Sequence, residues 1–227
     1  MIWWVYQHCK QVKEFNEIYV ATDDERIFDV CKKNNINVIM TSNIHKNGTE
    51  RVCEVAEKID ADIYVNVQGD EPLLEPDVIS AVIKPLFDNS KLLVVNLMTK
   101  IKDPIEVINN TIPKVIVNKD NVGIYLTRAS APYPKGKIMY DYYKQVCVYA
   151  FRPEALKFFY EYGKKNGKAK IEEIEDIEIL RFIENGYVVQ YVNVESNTIA
   201  VDTINDLNKV RIEVKQRIMN KTLDLTL

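Results

Sequence analysis

The stretch Tyr64-Val65-Asn66-Val67-Gln68-Gly69-Asp70-Glu71-Pro72 constrains the chain most. Ile63, Val65 and Val67 alternate with Tyr64 and Asn66, and the run ends at a glycine, two acids and a proline. Alternation of period two closed by turn residues predicts a buried strand with Asp70 at its carboxyl end. Ligands of open α/β sheets bind outside the carboxyl ends of the strands. The chain has only two histidines, His8 and His45. A strand-end carboxylate in such a chain points to a hard, oxygen-preferring cation such as Mg2+. Taken alone, Asp70 reads more readily as a turn residue capping its own backbone.

Upstream, Trp3 to Val12 predicts a helix, Ile18 to Ala21 a strand, Glu25 to Lys33 a helix opened by Thr22-Asp23-Asp24, and Val38 to Met40 a strand. A polar loop, Thr41 to Arg51, then opens a helix running to Lys58. Helix and strand alternating through short connections imply a three-layer α/β fold, a mostly parallel sheet with helices on both faces. One helix is predicted over Pro76 to Leu86, with proline in its first turn, and an apolar strand over Leu92 to Met98.

Beyond Pro104 the pattern changes. Val115 to Val117 and Gly123 to Thr127 predict a hairpin about Asn118 to Asn121; Arg128 to Lys137 is a proline-containing loop, and Gln145 to Phe151 another strand. Residues 104–151 are thus expected to form an antiparallel insertion on the sheet rather than an independent domain. Ile174 to Glu184 reads as an amphipathic helix stopped by Gly186. Tyr187 to Val194 and Ile199 to Val201 read as the last strands, and Asn205 to Ile218 as a closing helix.

Composition excludes several functions. The net charge of −3, with no basic stripe interleaved with aromatics, argues against nucleic acid. No apolar run has the length of a membrane span, and no signal peptide is recognisable. Cys9, Cys31, Cys53 and Cys147 form no CxxC pair, which fits free thiols in a reducing cytoplasm. Two histidines make a histidine-based triad a poor reading.

Four groups carry chemistry. Gln68-Gly69-Asp70 is the first. Asp202, after Ile199-Ala200-Val201, is a second strand-end acid that either joins Asp70 on one cation or caps the following helix. The loop His45 to Arg51 sets Gly48 and Thr49 at a helix start, where backbone N–H groups suit polar or anionic ligands; its plainer reading is an ordinary capped loop. Arg128, in Thr127-Arg128-Ala129-Ser130-Ala131-Pro132, either grips a carboxylate through two parallel hydrogen bonds or is a solvated edge charge.

Together these segments resemble the CMP-Kdo synthetases (3-deoxy-manno-octulosonate cytidylyltransferases). Val65 to Pro72 resembles that family's signature, and Ala21 to Glu25 its second strand and turn. His45 to Arg51 resembles its H-x-S-G-T-E-R loop with Asn47 in place of Ser. Leu126 to Pro134, Glu172 to Arg181 and Val201-Asp202-Thr203 match three further family segments in order. The resemblance implies a nucleotide-sugar-transferase-like, Rossmann-like sheet forming a single cytidylyltransferase domain over 1–227. It implies attack of a sugar acid's anomeric hydroxyl on CTP, giving a CMP-sugar and pyrophosphate for surface polysaccharide such as lipopolysaccharide.

By resemblance, Asp70 and Asp202 are catalytic and hold Mg2+; Gln68, Arg128, Tyr149 and Glu178 bind the sugar acid; Gly48, Thr49 and Arg51 lie at the nucleotide. A cytoplasmic homodimer contacting through the insertion is implied as well. Two departures accompany the match. The family's opening strand and phosphate loop, I-P-A-R-x-x-S-x-R-x-P-G-K-P-L, has no counterpart here, so the chain is expected to be N-terminally truncated. Lys144-Gln145 replace an R-H pair and Ile179 replaces a Gln, so the sugar can be a modified ulosonic acid. The other readings are a CMP-sialic-acid-type synthetase and a non-catalytic remnant.

Overall fold

The computed structural model describes residues 1–136, 139–196 and 198–219. In chain order the first elements are α1 (Ile2–Lys10), β1 (Val20–Thr22), α2 (Glu25–Lys33), β2 (Val38–Met40), α3 (Gly48–Ala56) and β3 (Tyr64–Val67). The middle holds α4 (Pro76–Ser80), α5 (Lys84–Asp88), β4 (Val94–Lys100), α6 (Pro104–Ile108), β5 (Lys114–Val117), β6 (Gly123–Thr127) and β7 (Tyr143–Phe151). Last come α7 (Pro153–Asn166), α8 (Lys170–Glu175), α9 (Leu180–Glu184), β8 (Val189–Asn193) and α10 (Ile204–Met219).

These elements fall into two compact units. The first comprises residues 1–40, 67–80 and 196–227. In it β1 and β2 pair in parallel, Ala21 opposite Ile39. Val20, Cys31 and Ile36 form a small core covered by Ile2, Trp3, Tyr6 and Val38. The α2 start is where the sequence places it: Asp24 accepts a hydrogen bond from the Arg26 N–H at 2.8 Å.

The second unit, residues 41–66 and 81–195, holds the large sheet. Its strand order is β6-β5-β7-β4-β8, and β3 also pairs with β7. β4 runs parallel to β8 and antiparallel to β7, and the β5–β6 hairpin is antiparallel. The antiparallel pairings therefore all involve the stretch expected to be an antiparallel insertion. A bulge between Asn96 and Leu97 shifts the β4–β7 register, and the fully buried Asn96 amide donates to the carbonyls of Val146 (3.0 Å) and Val148 (2.8 Å). Phe151, Phe159, Phe182, Leu156 and Tyr191 centre the core of this unit.

Several expectations are revised. The single helix over Pro76 to Leu86 is two short ones, α4 and α5. Pro85 has no N–H, and its ring collides with the carbonyl four residues back, so a through-running helix is broken there and restarted with Pro in its first turn. The helix over Ile174 to Glu184 is also two, α8 and α9, separated at Asp176, whose backbone is left-handed (φ 50°, ψ 52°). Ile199 to Val201 joins no strand; the Val201 N–H instead donates to the Asp70 carbonyl at 2.9 Å. The more buried face of β3 carries Tyr64 and Asn66 (9% and 8% exposed), not Val65 and Val67. The sequence reading passed over α7, whose Ala155, Leu156 and Phe159 are buried. Lys137, the last residue of the expected loop, lies outside the described residues.

Candidate active site

In the first unit the chain after β3 turns sharply: the Glu71 N–H donates to the Gln68 carbonyl at 3.4 Å. Glu71 is buried and its Oε2 accepts a hydrogen bond from Thr198 Oγ1 at 2.7 Å. That bond and the Val201-to-Asp70 backbone bond tether the segment before Asp202 to the turn. Asp202 itself is exposed, and Gln68 and Asp70 are partly buried.

Asp70 Oδ1 is buried and has no hydrogen-bond partner. Desolvation lifts its carboxyl above the usual range, its own backbone N–H opposes this, and the charge of Asp202 raises it further. Two acids the sequence holds 132 positions apart thus act on each other electrostatically. An orphaned buried oxygen next to a like charge is the arrangement a cation relieves. Among the described residues no group of three or more His, Cys, Asp or Glu could hold a metal. Two carboxylates alone suit Mg2+, which keeps several waters and takes further oxygens from substrate phosphates. The residues present fit that ion.

In the second unit α3 begins at Gly48 and is capped at its N-terminus by the residue before it. Asn47 Oδ1 caps it by accepting from the Glu50 N–H at 2.8 Å. Gly48 lies against the Asn66 side chain: a Cβ there would sit 3.2 Å from Asn66 Nδ2. The buried Thr49 donates its N–H to Glu178 Oε2 at 3.0 Å. Asn47 Nδ2, Asn66 Nδ2 and Glu178 Oε1 are all buried without partners. Desolvation raises the Glu178 carboxyl above the usual range, against hydrogen bonds from Thr49 and with Glu172 adding to the rise.

Arg51, one turn into α3, donates Nη1 to Thr41 Oγ1 (2.5 Å) and to the Ser42 carbonyl (3.2 Å), holding the loop ahead of the helix. Glu54, not singled out from the sequence, holds the same loop. It binds His45 Nε2 (2.6 Å), the Ser42 N–H (2.8 Å) and Lys58 (2.6 Å). Desolvation works against it, yet Lys58, the Ser42 N–H and His45 together lower its carboxyl to about 2.

Two expected sugar-binding residues are placed differently from the reading above. Tyr149 is a core residue, 2% exposed and stacked on Phe151 at 6.0 Å. Burial, then the neighbouring Cys147 and Glu178, keep its hydroxyl protonated, well above the usual range. Arg128 is no open carboxylate fork. Its Nε donates to the Glu175 carbonyl (2.6 Å), Nη2 to Asp176 (3.1 Å), and Nη1 to Thr111 (3.0 Å) and Asn110 (3.3 Å). Both edges of the guanidinium contain a committed N–H, so a two-pronged grip is not on offer. Nor is Arg128 a solvated edge charge.

Other groups were illegible in advance. Arg181 is fully buried, its Nε and Nη2 each 2.7 Å from a Glu172 carboxylate oxygen and its guanidinium carbon 3.7 Å from the Phe159 ring centre. Lys114, also fully buried, donates Nζ to the carbonyls of Asn109, Ile112 and Arg128, each at 2.7 Å. The first pair was visible only as a ten-residue match to the family's motif; nothing local marks Lys114. Where the resemblance expects R-H, Lys144 pairs with Glu106 (2.7 Å) and Gln145 donates to Asn96 Oδ1 (2.8 Å).

The cytidylyltransferase family profile matches residues 1–198. The chain belongs to the cytidylyltransferase family. It is 36% identical over 217 residues to a 3-deoxy-manno-octulosonate cytidylyltransferase of Fusobacterium nucleatum, spanning 95% of this chain and 86% of that protein. A relative of the same description from Geotalea uraniireducens is 34% identical over 229 residues, spanning 95% and 89%. Among solved structures, a CMP:2-keto-3-deoxy-manno-octonic acid synthetase complexed with CTP superposes with a TM-score of 0.87 at 33% identity, covering 95% of this chain and 88% of that one. A 4-diphosphocytidyl-2C-methyl-D-erythritol synthase from Anaerococcus prevotii shares the fold at TM-score 0.61 and 18% identity. The α/β fold class and nucleotidyltransferase class expected from the sequence both hold.

Proposed function

We propose that this protein transfers CMP from CTP to the anomeric hydroxyl of a 3-deoxy-ulosonic acid, Kdo or a close relative, releasing pyrophosphate. The observation that carries this reading is the Asp70–Asp202 pair, with its orphaned Asp70 oxygen, in a chain of the cytidylyltransferase family. Asp70 and Asp202 would hold Mg2+, which when bound neutralises phosphate charge and lowers the pKa of the attacking hydroxyl. Transfer at phosphorus needs positioning and charge compensation more than covalent chemistry, which suits a site with no nucleophile–histidine pair.

The remaining roles follow from hydrogen-bonding capacity. Glu178 Oε1 is a free acceptor for a sugar hydroxyl. Gly48 and Thr49 present the α3 N-terminus, and Arg51 holds that edge in place for the nucleotide. Gln68 stands at the turn that presents Asp70. We read the protein as a cytoplasmic homodimer serving surface-polysaccharide synthesis. No helix among the described residues is long and apolar enough to cross a membrane.

The test is pyrophosphate release from CTP, Mg2+ and Kdo. Release that needs all three and is abolished by Asp70→Asn supports the reading; undiminished release by Asp70→Asn overturns it. Because Gln145 and Ile179 depart from the family's usual residues, other ulosonic acids and sialic acid belong on the same substrate panel.

A further inference from the structure

Glu178 lies between two helices, not within one. α8 ends at Asp176, and α9 begins at Leu180. Asp176 adopts φ 50°, ψ 52°, a conformation that needs local support in a residue other than glycine. Support comes from Arg128. Its Nε and Nη2 bind the carbonyls of Glu175 and Asp176, and its Nη1 spans to those of Asn110 and Thr111. Around it, Glu175 accepts from the Arg128 N–H (2.8 Å), Thr127 Oγ1 (2.7 Å) and Tyr125 Oη (3.2 Å), and Lys114 closes the far side on the Arg128 carbonyl. Carbonyls captured in this way are withheld from a continuing helical ladder, which is why the predicted single helix breaks here. Two residues past the captured carbonyls, the Glu178 carboxylate meets the Thr49 N–H.

We propose that Arg128 is a positioning residue: by clamping the carbonyls at the α8–α9 junction it sets the Glu178 carboxylate at the α3 N-terminus, and it does not itself grip the substrate's carboxylate. The inference rests on the functional reading above for Glu178. It assigns Arg128 a role opposite to the direct contact implied by resemblance. Arg is suited to it, because its rigid planar fork reaches two separate pairs of carbonyls from fixed directions, whereas the ammonium of Lys is a compact point charge on a flexible stem.

The experiment is a cycle of wild type, Arg128→Ala, Glu178→Gln and the double variant, with Arg128→Lys alongside. Sugar-acid KM, CTP KM and kcat are measured on Kdo and on its carboxamide, after circular-dichroism melts establish folding. Displacing Glu178 is expected to raise the sugar-acid KM roughly tenfold to a hundredfold in Arg128→Ala. The CTP KM should stay within about twofold, and little should be added in the Glu178→Gln background, as for residues acting as one unit. Arg128→Lys should resemble Arg128→Ala, and the preference for acid over carboxamide should survive both. Multiplicative losses in the cycle, near-normal kinetics of Arg128→Lys, or collapse of the acid-over-carboxamide preference would each overturn the proposal.

If Arg128→Ala does not fold, Arg128→Lys takes its place in the cycle. Amide exchange across Ile177 to Leu180 reads the junction independently of turnover: it should quicken in both Arg128 variants, and unchanged exchange sinks the clamp. Wild-type protein inactive with CTP on every sugar acid of the panel, with exchange quickened in the variants, would refute the functional reading and leave the clamp standing.

Discussion

A carboxylate that loses more to desolvation than its hydrogen bonding returns destabilises the fold that holds it, and Asp70 is such a group. Its folded-state pKa is raised, so its contribution is fully favourable below the unfolded value of 3.8 and is lost as pH rises through the folded value. Asp70→Asn should therefore raise the melting temperature of the ligand-free protein at neutral pH, with the gain vanishing as pH falls below the ordinary carboxylate range. The same variant should lower kcat by about a hundredfold or more, the scale of losing a preorganised charge-stabilising group. Melting curves across pH, set beside pyrophosphate release, check both; a loss of stability at pH 7 would show that the backbone hydrogen bond of Asp70 outweighs its desolvation. The sequence singled out both acids from positions that read as strand ends, although only the Asp70 segment follows a strand. It could not show that Glu71 and Thr198 tie their segments together, because that bond joins residues 127 positions apart.

At the scale of elements, the sequence was most legible where local chemistry decides. Asp24 and Asn47 cap α2 and α3 as their residue types suggest. Legibility failed where distant groups override the local pattern. Ile174 to Glu184 has helical periodicity, yet Arg128 takes its carbonyls and Arg181 draws Glu172 into the core. Arg181→Met would leave the buried Glu172 without its cationic partner, holding only the Ala169 N–H, at a cost of about 3–5 kcal/mol, and Glu172→Gln added to it should recover part of the loss. Denaturant unfolding of the two variants checks this; equal stability of Arg181→Met and wild type would mean that the pair is dispensable. Gly163 makes the same point from α7: a Cβ there would lie 2.7 Å from Arg181 Nη1, so Gly163→Ala should destabilise by about 1–3 kcal/mol despite alanine's better helix propensity. Within α3, Glu54 has its pKa lowered from 4.5 to about 2, so its contribution is complete above pH 4.5 and is lost as pH falls towards 2. The stability difference between wild type and Glu54→Gln should shrink over that window, and a difference constant with pH would show that the Lys58 and His45 contacts do not depend on its charge.

For the whole molecule, the decisive quantity is how ligand binding couples to folding. The class was readable from the chain because motifs scattered from Ala21 to Thr203 occur in one order, and the similarity to solved cytidylyltransferases bears that out. The two-unit division was not readable, since each unit gathers segments distant in sequence. On the proposed reading, Mg2+ and CTP bind the native state, with Asp70 and Asp202 supplying the protein's share of the metal ligands. A ligand at a hundred times its Kd stabilises by about 2.7 kcal/mol. For a chain of 227 residues that corresponds to roughly 5–10 °C in melting temperature. Wild-type protein should show a rise of this size with Mg2+ and CTP together. Removing the metal with EDTA should cancel most of it, and Asp70→Asn should respond to CTP equally with and without Mg2+. A full shift under EDTA, or an Asp70→Asn shift that still depends on the metal, would mean that the cation is held elsewhere or is not required. UTP in place of CTP separates the base from the phosphates: a weaker shift locates recognition of the base at an edge such as the α3 N-terminus, and an equal one would remove Gly48 and Thr49 from base recognition.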